Sequence, residues 1–322
     1  MFEHPAVNSL AKARFAPEPA VRDLPALHAP RQNRILAALP FADYARLLPD
    51  LEPVPLPAGR TIYGAGDQRN YLYFITAGIV SRIYLMENGS SAELGVTGNE
   101  GVIGVASFLS GNTTLNESIV ISAGHAWRLR TGTLKNKVDP GSPRFRLLLR
   151  YTLALITQTG QIAVCARHHT LQQQLSRWIL SCMDRLPANE LAMTHELIAQ
   201  MLGVRREGVS EAAARLQRAG LIQYYRGHIA IVDRPRLEAQ TCECYAVVKQ
   251  EYDRLFALEQ STGNLEVAAG IASAVWNGVT SHANRQQPVT CQPSSRRHAP
   301  ESVSTHADRP PAGRVEVRAG AL

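Results

Sequence analysis

Polar side chains that can read a polyanionic partner are concentrated between positions 205 and 215 of the sequence. They are Arg205, Arg206, Glu207, Ser210, Glu211 and Arg215. An arginine fork can donate two hydrogen bonds to the major-groove edge of guanine, and a glutamate can accept one from the amine of cytosine. This chemistry requires one exposed helical face, so the surrounding elements decide whether these side chains can act together.

Two helical patterns separated by Gly203 surround this cluster. Thr194 provides the hydroxyl of an N-cap before the first pattern. The apolar positions are Leu197, Ile198, Met201 and Leu202 in the first pattern, and Val209, Ala212, Ala213 and Leu216 in the second. The second set lies opposite the polar cluster. We therefore predict a helix, a tight turn and a second helix that exposes the polar residues.

A predicted hairpin follows directly. Residues 221–233, LIQYYRGHIAIVD, read as two short strands joined at Arg226, Gly227 and His228. Such a hairpin would be the wing of a winged helix. Two short helices around a glycine also occur in proteins that never bind DNA, but the polar outer face and the hairpin together favour DNA binding. Arginines that could attract phosphate crowd this region: Arg205, Arg206, Arg215, Arg218, Arg226, Arg234 and Arg236.

Composition is that of a globular protein with a basic surface. The 322 residues are 45% hydrophobic, with a net charge of +7, which suits two modest domains and a polyanionic partner without identifying one. No apolar run is long enough for a membrane helix, and the first residues lack the apolar core of a signal peptide. Five scattered cysteines do not form a disulfide framework. We expect a cytoplasmic protein with no membrane partner.

Short segments rich in Ile, Val and Tyr fill the region from Leu51 to Arg130. The predicted strands are YLYFITAG, IVSRIYLM, SSAELGVT, SIVISAG and AWRLR, separated by Asn88-Gly89, Gly98-Asn99 and Gly111-Asn112. Evenly spaced short strands predict a rolled or closed antiparallel sheet.

One long helix is predicted from Pro143 to Arg167. Its near-heptad stripe is Leu148, Thr152, Leu155, Thr159, Ile162 and Ala166. We interpret this stripe as a dimer interface, because a helix-turn-helix usually reads two half-sites; the alternative is that the stripe packs only on its own sheet. A helix after Thr170 and a single closing helix, RLEAQTCECYAVVKQEYDRL, would complete the DNA-binding domain. The closing helix would pack through Leu237, Tyr245, Val248 and Tyr252.

A β-roll, a long helix and a C-terminal winged helix, in that order, resemble the Crp/Fnr family of bacterial transcription regulators from about Asn33 to Leu255. The likeness is most specific in THELIAQMLGVRREGVSEAAARLQRAGLI. It implies base contacts from Arg206 and Glu207, and phosphate contacts from Thr194 and His195. Glu211 replaces a frequent arginine of the family, so we expect a different half-site. Double-stranded DNA with a pseudo-palindromic operator, a second copy of the chain, and RNA polymerase are the partners that the resemblance suggests.

The predicted fold is α+β, with an N-terminal antiparallel, jelly-roll-like β-roll, a long dimerisation helix and a C-terminal winged helix-turn-helix. The boundaries are an extension at 1–30, the cyclic-nucleotide-binding-like roll at 31–140, the dimerisation helix at 141–168, the winged helix-turn-helix domain at 169–256 and a tail at 257–322. The extension and the tail are predicted to be disordered, apart from a short helix near Leu265 to Trp276.

The candidate effector pocket departs from the sequence pattern that is shared by cyclic-nucleotide binders of the family. Its residues are Glu100, Gly101, Val102, Asn116, Glu117, Ser118 and Thr159. Where those binders place a glutamate for the ribose and an arginine for the cyclic phosphate, this chain has Val102 and Asn116, with Glu117 adjacent. A buried phosphate would remain without a cationic partner. We predict that cyclic AMP is not the effector, and the effector itself is unknown.

Metal and enzyme chemistry are not predicted. No cysteine precedes Cys165, so we expect no N-terminal iron-sulfur cluster. Cys242-Glu243-Cys244 offers two ligands, fewer than a tetrahedral site needs, and we interpret these thiols as packing residues. His168 and His169 are interpreted as surface or capping residues. A cupin-like metal enzyme needs several inward histidines, whereas residues 51–130 contain only His125. A constitutive DNA binder with an inert roll is a further alternative.

Overall fold

The structure is a computed structural model that describes residues 29–68, 70–109 and 116–260, of which 258–260 are described by their backbone alone. The N-terminal half contains α1 (Arg34–Ala37), α2 (Phe41–Leu47), β1 (Glu52–Leu56), β2 (Thr61–Tyr63), β3 (Tyr71–Leu85), β4 (Ser91–Thr97), β5 (Val102–Ile103), α3 (Val105–Leu109), β6 (Glu117–Arg130) and α4 (Thr131–Lys137). The C-terminal half contains α5 (Pro143–His168), α6 (Leu171–Met183), β7 (Glu190–Ala192), α7 (His195–Leu202), α8 (Arg206–Arg218), β8 (Ile222–Tyr225), β9 (His228–Ile231), α9 (Arg234–Gln240) and α10 (Glu243–Gln260).

The N-terminal half is an antiparallel roll. Its strands follow the order β1-β6-β3-β4, while β2 adds to β6 and β5 adds to β3. A winged helix closes the C-terminal half, where β7, β9 and β8 form a small antiparallel sheet beside α7 and α8. The predicted α+β architecture of roll, long helix and winged helix is therefore confirmed.

Two of the predicted strand boundaries are wrong. The segments YLYFITAG and IVSRIYLM form one 15-residue strand, β3, and SIVISAG and AWRLR form one 14-residue strand, β6. The two strands pair antiparallel along their length, with register shifts between Ile75 and Val80. Gly78 and Gly124, at which two of the predicted segments end, instead lie inside continuous strands.

The close approach of β3 and β6 depends on glycines that face each other across the two strands. Gly78 has φ of 84°, a conformation that side chains other than glycine rarely adopt. A Cβ on Gly124 would lie 2.0 Å from the carbonyl oxygen of Ala77, and one on Gly78 would lie 2.6 Å from that of Ser122. Only residues without a Cβ permit this approach of the two backbones.

The long helix α5 begins at the N-cap Ser142, whose side chain accepts a hydrogen bond from the backbone N–H of Phe145. It is one continuous helix, as predicted, but two residues of the predicted dimer stripe lie on its buried face. Leu148 and Leu155 are 4% and 7% exposed and pack with the roll and α10. The expectation that they form an exposed stripe is wrong, because the roll already covers that side of the helix.

The predicted single closing helix is two helices. α9 ends at Gln240 and α10 starts at Glu243, with Thr241 as the extended residue after α9. α10 then runs back along α5 to the roll, and Tyr252, Leu255 and Phe256 join the core that contains Leu147 and Tyr151. The C-terminal end of the described chain is thereby packed on the N-terminal domain.

A shared apolar core joins the roll to the winged helix. Ile79, Ile83 and Val96 of the roll pack in one cluster with Trp178 and Met201 of the DNA-binding half. The boundary predicted at residue 169 therefore separates elements that share a core.

None of the helices in the described ranges is long and apolar enough to span a membrane. The predicted helix near Leu265 to Trp276, the extension at 1–28 and the turn at Gly111-Asn112 lie outside the described residues.

The contact at Gly124 predicts a large effect of one methyl group. Gly124→Ala should lower the free energy of unfolding by about 1–3 kcal/mol, because the strands must separate to admit the Cβ. Gly132→Ala is the matched control, since Gly132 lies in α4 with no atom within 4 Å of an added Cβ. It should stabilise by about 0.5–1 kcal/mol. Equal denaturation midpoints for the two variants would contradict this account.

Candidate nucleic-acid interface

The helix-turn-helix forms as its local sequence predicts. The Thr194 hydroxyl accepts a hydrogen bond from the backbone N–H of Leu197 and caps α7. Gly203 ends α7 in the left-handed conformation, with φ of 67°. Glycine adopts this conformation readily, so the chain turns within three residues into α8. The apolar face of α8 is buried at Val209, Ala212, Ala213 and Leu216.

The opposite face of α8 is exposed and carries the predicted polar cluster. Arg205, Arg206, Glu207, Glu211 and Arg215 are exposed, and Ser210 is half-buried. Glu211 and Arg215 form an ion pair at 2.8 Å, four residues apart on the helix. An exposed pair of this kind contributes little to stability, so both side chains remain able to exchange partners.

His195 connects α7, α8 and the wing. Its Nδ1 lies 2.9 Å from the Ser210 hydroxyl, and its ring stacks on Tyr224 with centroids 4.0 Å apart. Burial and the nearby Arg206 guanidinium lower the pKa of His195 below its usual value, which favours the neutral ring near pH 7. Its Nε2 atom is buried and lacks a hydrogen-bond partner among the described residues. The geometry fits a residue that positions α8 against the wing.

The wing turn places Arg226 in an unfavourable backbone conformation. Arg226 has φ of 49° and Gly227 has φ of 82°, the signs required by the two-residue hairpin turn that favours Asn-Gly. Left-handed backbone costs a residue other than glycine or asparagine roughly 1–2 kcal/mol. Such strain often marks a functional position. The other predicted wing residue, His228, is half-exposed and pairs with Glu190 at 2.8 Å.

A groove runs between α8 and the wing. Its lining residues are Thr194, His195, Glu196, Arg206, Tyr224, Arg226 and Gly227. Two of the predicted cationic contacts, Arg206 and Arg226, therefore border the same groove. The other side of the helix-turn-helix touches the roll, where the Ser91 hydroxyl donates to the Gln200 carbonyl oxygen at 3.0 Å.

The candidate effector residues have partners in several different elements. Glu100 is buried and forms an ion pair at 2.8 Å with Arg185, just after α6. Its carboxylate also accepts from the backbone N–H of Gly98. The Gly101 backbone lies against Tyr151, whose hydroxyl donates to the carbonyl oxygen of Val102 at 3.1 Å. The sequence did not indicate Arg185 as a partner, since it lies 85 residues away.

The remaining candidates lie on β6 and α5. Burial, together with the charge of Asp67, raises the pKa of the Glu117 carboxyl. The Oε1 atom of Glu117 and the hydroxyl of Ser118 are buried without hydrogen-bond partners in the described part of the chain. Asn116 is half-buried beside them. The Thr159 hydroxyl lies 3.1 Å from the carbonyl oxygen of Leu94 and 3.0 Å from that of Leu155, so it joins α5 to β4.

Arg82 is the arginine that the fold brings between the roll and α5. Its Nη2 donates to Gln158 Oε1 at 3.1 Å, and Gln158 Nε2 donates to the carbonyl oxygen of Val96. The Nε atom of Arg82 is buried without a partner among the described groups. An anion that used Arg82 would compete with Gln158. Gln158 itself gave no sequence signal, because glutamine is common on helices.

Comparison with known proteins identifies both halves of the chain. Residues 53–139 match the family model described as a cyclic nucleotide-binding domain, and residues 173–240 match the Crp-like helix-turn-helix domain. The CRP-like cAMP-activated global transcriptional regulator of Mycobacterium tuberculosis is 24% identical over 200 residues, which cover 60% of this chain and 89% of that protein.

Solved structures share the fold at low sequence identity. A putative transcriptional regulator of the Crp/Fnr family from Eubacterium rectale superposes with a TM-score of 0.52 and 19% identity, covering 66% of this chain and 97% of its own. FixK2 from Bradyrhizobium japonicum gives a TM-score of 0.53 and 19% identity, with 60% and 98% covered. Since both family models match in the order that the fold displays, the chain pairs a cyclic nucleotide-binding domain with a Crp-like helix-turn-helix domain, the arrangement of Crp-like transcriptional regulators.

Proposed function

We propose that this protein is a homodimeric, sequence-specific DNA-binding regulator that reads a pseudo-palindromic operator through α8. The observation that carries the proposal is the groove in which Arg206 of α8 and Arg226 of the wing face a common space. A major groove can receive α8 while the wing reaches the flanking phosphates. The protein acts on DNA in the cytoplasm, with RNA polymerase as a further partner, and is not an enzyme.

The two arginines have different roles in this proposal. Arg206 and Glu207 begin α8 on its exposed face, where side chains of a recognition helix meet base edges. Arg226 occupies a strained wing position, and a phosphate contact would offset that strain when DNA is bound. Thr194 and His195 hold the N-terminus of α7 beside them. Their phosphate contacts, and the DNA contacts of Arg205, Arg215 and His228, remain predictions.

The dimer interface is proposed on the exposed face of α5, one position away from the buried stripe. Ile156 is 63% exposed and Leu153 is 47% exposed. Exposed positions recur at intervals of four and three residues, at Leu149, Leu153, Ile156, Gly160, Ala163 and Arg167. This is the spacing of a two-helix interface, and exposed apolar surface of this kind usually marks a partner. Thr152, Ile162 and Ala166 flank it.

The roll is proposed to respond to a signal other than cyclic AMP, or to none. We do not extend the cAMP activation named for the M. tuberculosis relative to this chain, because Val102 and Asn116 replace the groups that a cyclic nucleotide needs. Glu117 adds a buried carboxyl beside the position where phosphate charge would lie, and Glu100 is already paired with Arg185. The burial of a second anion without a cation is unfavourable.

Arg206→Ala should lower operator affinity by about 1–3 kcal/mol and relax preference at one base pair, as expected for a base contact. The operator is first obtained by selection from random duplexes, and affinities are measured by fluorescence anisotropy on single-base variants. Base preference that is unchanged in Arg206→Ala would contradict this role of α8.

Arg226→Asn tests the wing, because asparagine tolerates the left-handed turn conformation. It should weaken binding to all sequences alike and reduce the slope of log affinity against log salt by about one unit. Since the turn is relaxed, the melting temperature should stay the same or rise. A changed base preference with an unchanged salt slope would show that Arg226 does not contact phosphate.

Leu153→Asp with Ile156→Asp should give a monomer in sedimentation velocity, because two carboxylates from each protomer would repel each other across the dimer axis. Operator affinity should fall by about 10² or more, since the second half-site no longer adds to binding. Met86→Asp is the control, an equally exposed apolar residue on the β3–β4 hairpin. A dimer that survives the double substitution would place the interface elsewhere.

Cyclic AMP and cyclic GMP should bind no tighter than the millimolar range. Several kcal/mol are lost when the phosphate has no arginine partner, which moves a micromolar site by about three orders of magnitude or more. Titration calorimetry on the full chain measures this directly. A micromolar dissociation constant would show that another cation, such as Arg82, reaches the phosphate.

A further inference from the structure

Four side chains with metal-binding atoms meet at the junction of α5, α6 and α10. Cys165 and His169 lie one helical turn apart at the C-terminal end of α5, while Cys242 and Cys244 lie at the start of α10. The three Sγ atoms and a ring nitrogen of His169 all lie within 4.8 Å of one another. The sequence count of two ligands, Cys242 and Cys244, was therefore incomplete, because the fold adds two from a helix 73 or more residues away.

The spacing of these atoms fits one tetrahedral ion. Cys165 Sγ lies 3.6 Å from Cys242 Sγ, and Cys244 Sγ lies 3.6 Å from His169 Nδ1. Zinc-sulfur bonds of about 2.3 Å and zinc-nitrogen bonds of about 2.0 Å give ligand separations of roughly 3.5–3.8 Å in a tetrahedron. A cluster with two irons divides its ligands between separate metal ions and needs a wider arrangement.

The site is enclosed and its histidine is oriented. Cys165, Cys242 and Cys244 are at most 4% exposed and form a cluster of their own. His169 Nε2 lies 3.4 Å from the Glu243 carboxylate. A carboxylate that holds one ring N–H directs the lone pair of the other nitrogen to a metal, which is the usual outer-shell arrangement of histidine ligands. Here the other nitrogen is Nδ1, which faces the thiols.

The surroundings also suit the charge of a loaded site. Three thiolates and a neutral histidine around a divalent ion carry a net charge of −1. The buried guanidinium of Arg177 lies beside Cys165. The Nε atom of Arg177 lacks a hydrogen-bond partner among the described residues. A buried cation with unused hydrogen-bonding capacity can stabilise such an anionic centre.

We propose that Cys165, His169, Cys242 and Cys244 bind one tetrahedral divalent metal ion, with zinc as the ion that this ligand set favours. The ion would join the end of the proposed dimer helix α5 to the first residues of α10. It would thereby fix the place where the long helix passes into the DNA-binding domain. Binding releases the thiol protons as the three Zn–S bonds and one Zn–N bond form, with no change in oxidation state.

Metal content of the full-length protein, purified under reducing conditions without chelator, tests the site. We expect one zinc ion per chain by elemental analysis. Exchange for cobalt should give the intense visible bands of a tetrahedral site and thiolate-to-cobalt charge-transfer absorption. Removal of the ion with a chelator should lower the melting temperature, because an ion that binds only the folded state stabilises it. Iron in place of zinc would confirm the geometry and correct the metal.

Variants separate coordination from packing. Cys242→Ser with Cys244→Ser should lose the ion, whereas Cys182→Ala should keep it, since Cys182 is buried in α6 outside the cluster. His169→Cys should still bind cobalt but with stronger charge-transfer absorption, because four sulfurs replace three. The cobalt spectrum of His169→Cys tests the site even if the Cys242→Ser, Cys244→Ser double variant fails to fold.

Three results would overturn the proposal. They are a reduced, folded protein with substoichiometric metal and no cobalt bands, a His169→Cys spectrum identical to that of the wild type, and a Cys165–Cys242 disulfide that persists at physiological thiol potential. The disulfide would show that the two thiols, whose sulfur atoms lie 3.6 Å apart, are oxidised to a disulfide rather than bound to a metal.

Discussion

The docking of α6 on strand β4 depends on one buried carboxylate. Glu93 of β4 accepts hydrogen bonds from Trp178 Nε1 at 3.1 Å and from the Ser81 hydroxyl at 2.9 Å. Burial raises the pKa of Glu93, and the two hydrogen bonds act against that rise. A buried polar group without these donors would be costly, so the two hydrogen bonds favour this orientation of α6 on the roll. The apolar contacts of Met201 and Val96 then fill the space around it.

This arrangement gives the two domains direct routes of coupling. The ion pair of Glu100 with Arg185 joins the candidate effector turn to the segment just after α6, and Thr159 joins α5 to β4. A ligand of the roll can change DNA binding only to the extent that it binds better to one arrangement of these contacts. The helix α5 takes part in three contacts. One face packs on the roll, a second face is proposed to bind a second copy of the chain, and the C-terminal end lies at the thiol cluster.

Local patterns in the sequence determined the secondary elements that carry the DNA-binding residues. The Thr194 cap, the glycine at 203 and the apolar spacing of α7 and α8 act within a few residues, and the structure shows each of them. The order of roll, long helix and winged helix also followed from changes of period along the chain. Short-range signals succeed here because capping, left-handed glycine and helical periodicity require little help from the rest of the fold.

Only the tertiary structure decided which faces and which distant residues meet. The rolled sheet packs against the side of α5 that carries Leu148 and Leu155. Leu153 and Ile156 remain exposed, although both sides of the helix are apolar in sequence. Gly78 and Gly124 lie inside strands rather than at their ends, because the two backbones approach each other closely across the sheet at these positions. Arg185 reaches Glu100, and Cys165 reaches Cys242, over 85 and 77 residues. Such pairings depend on how complete elements pack, and no local periodicity encodes them.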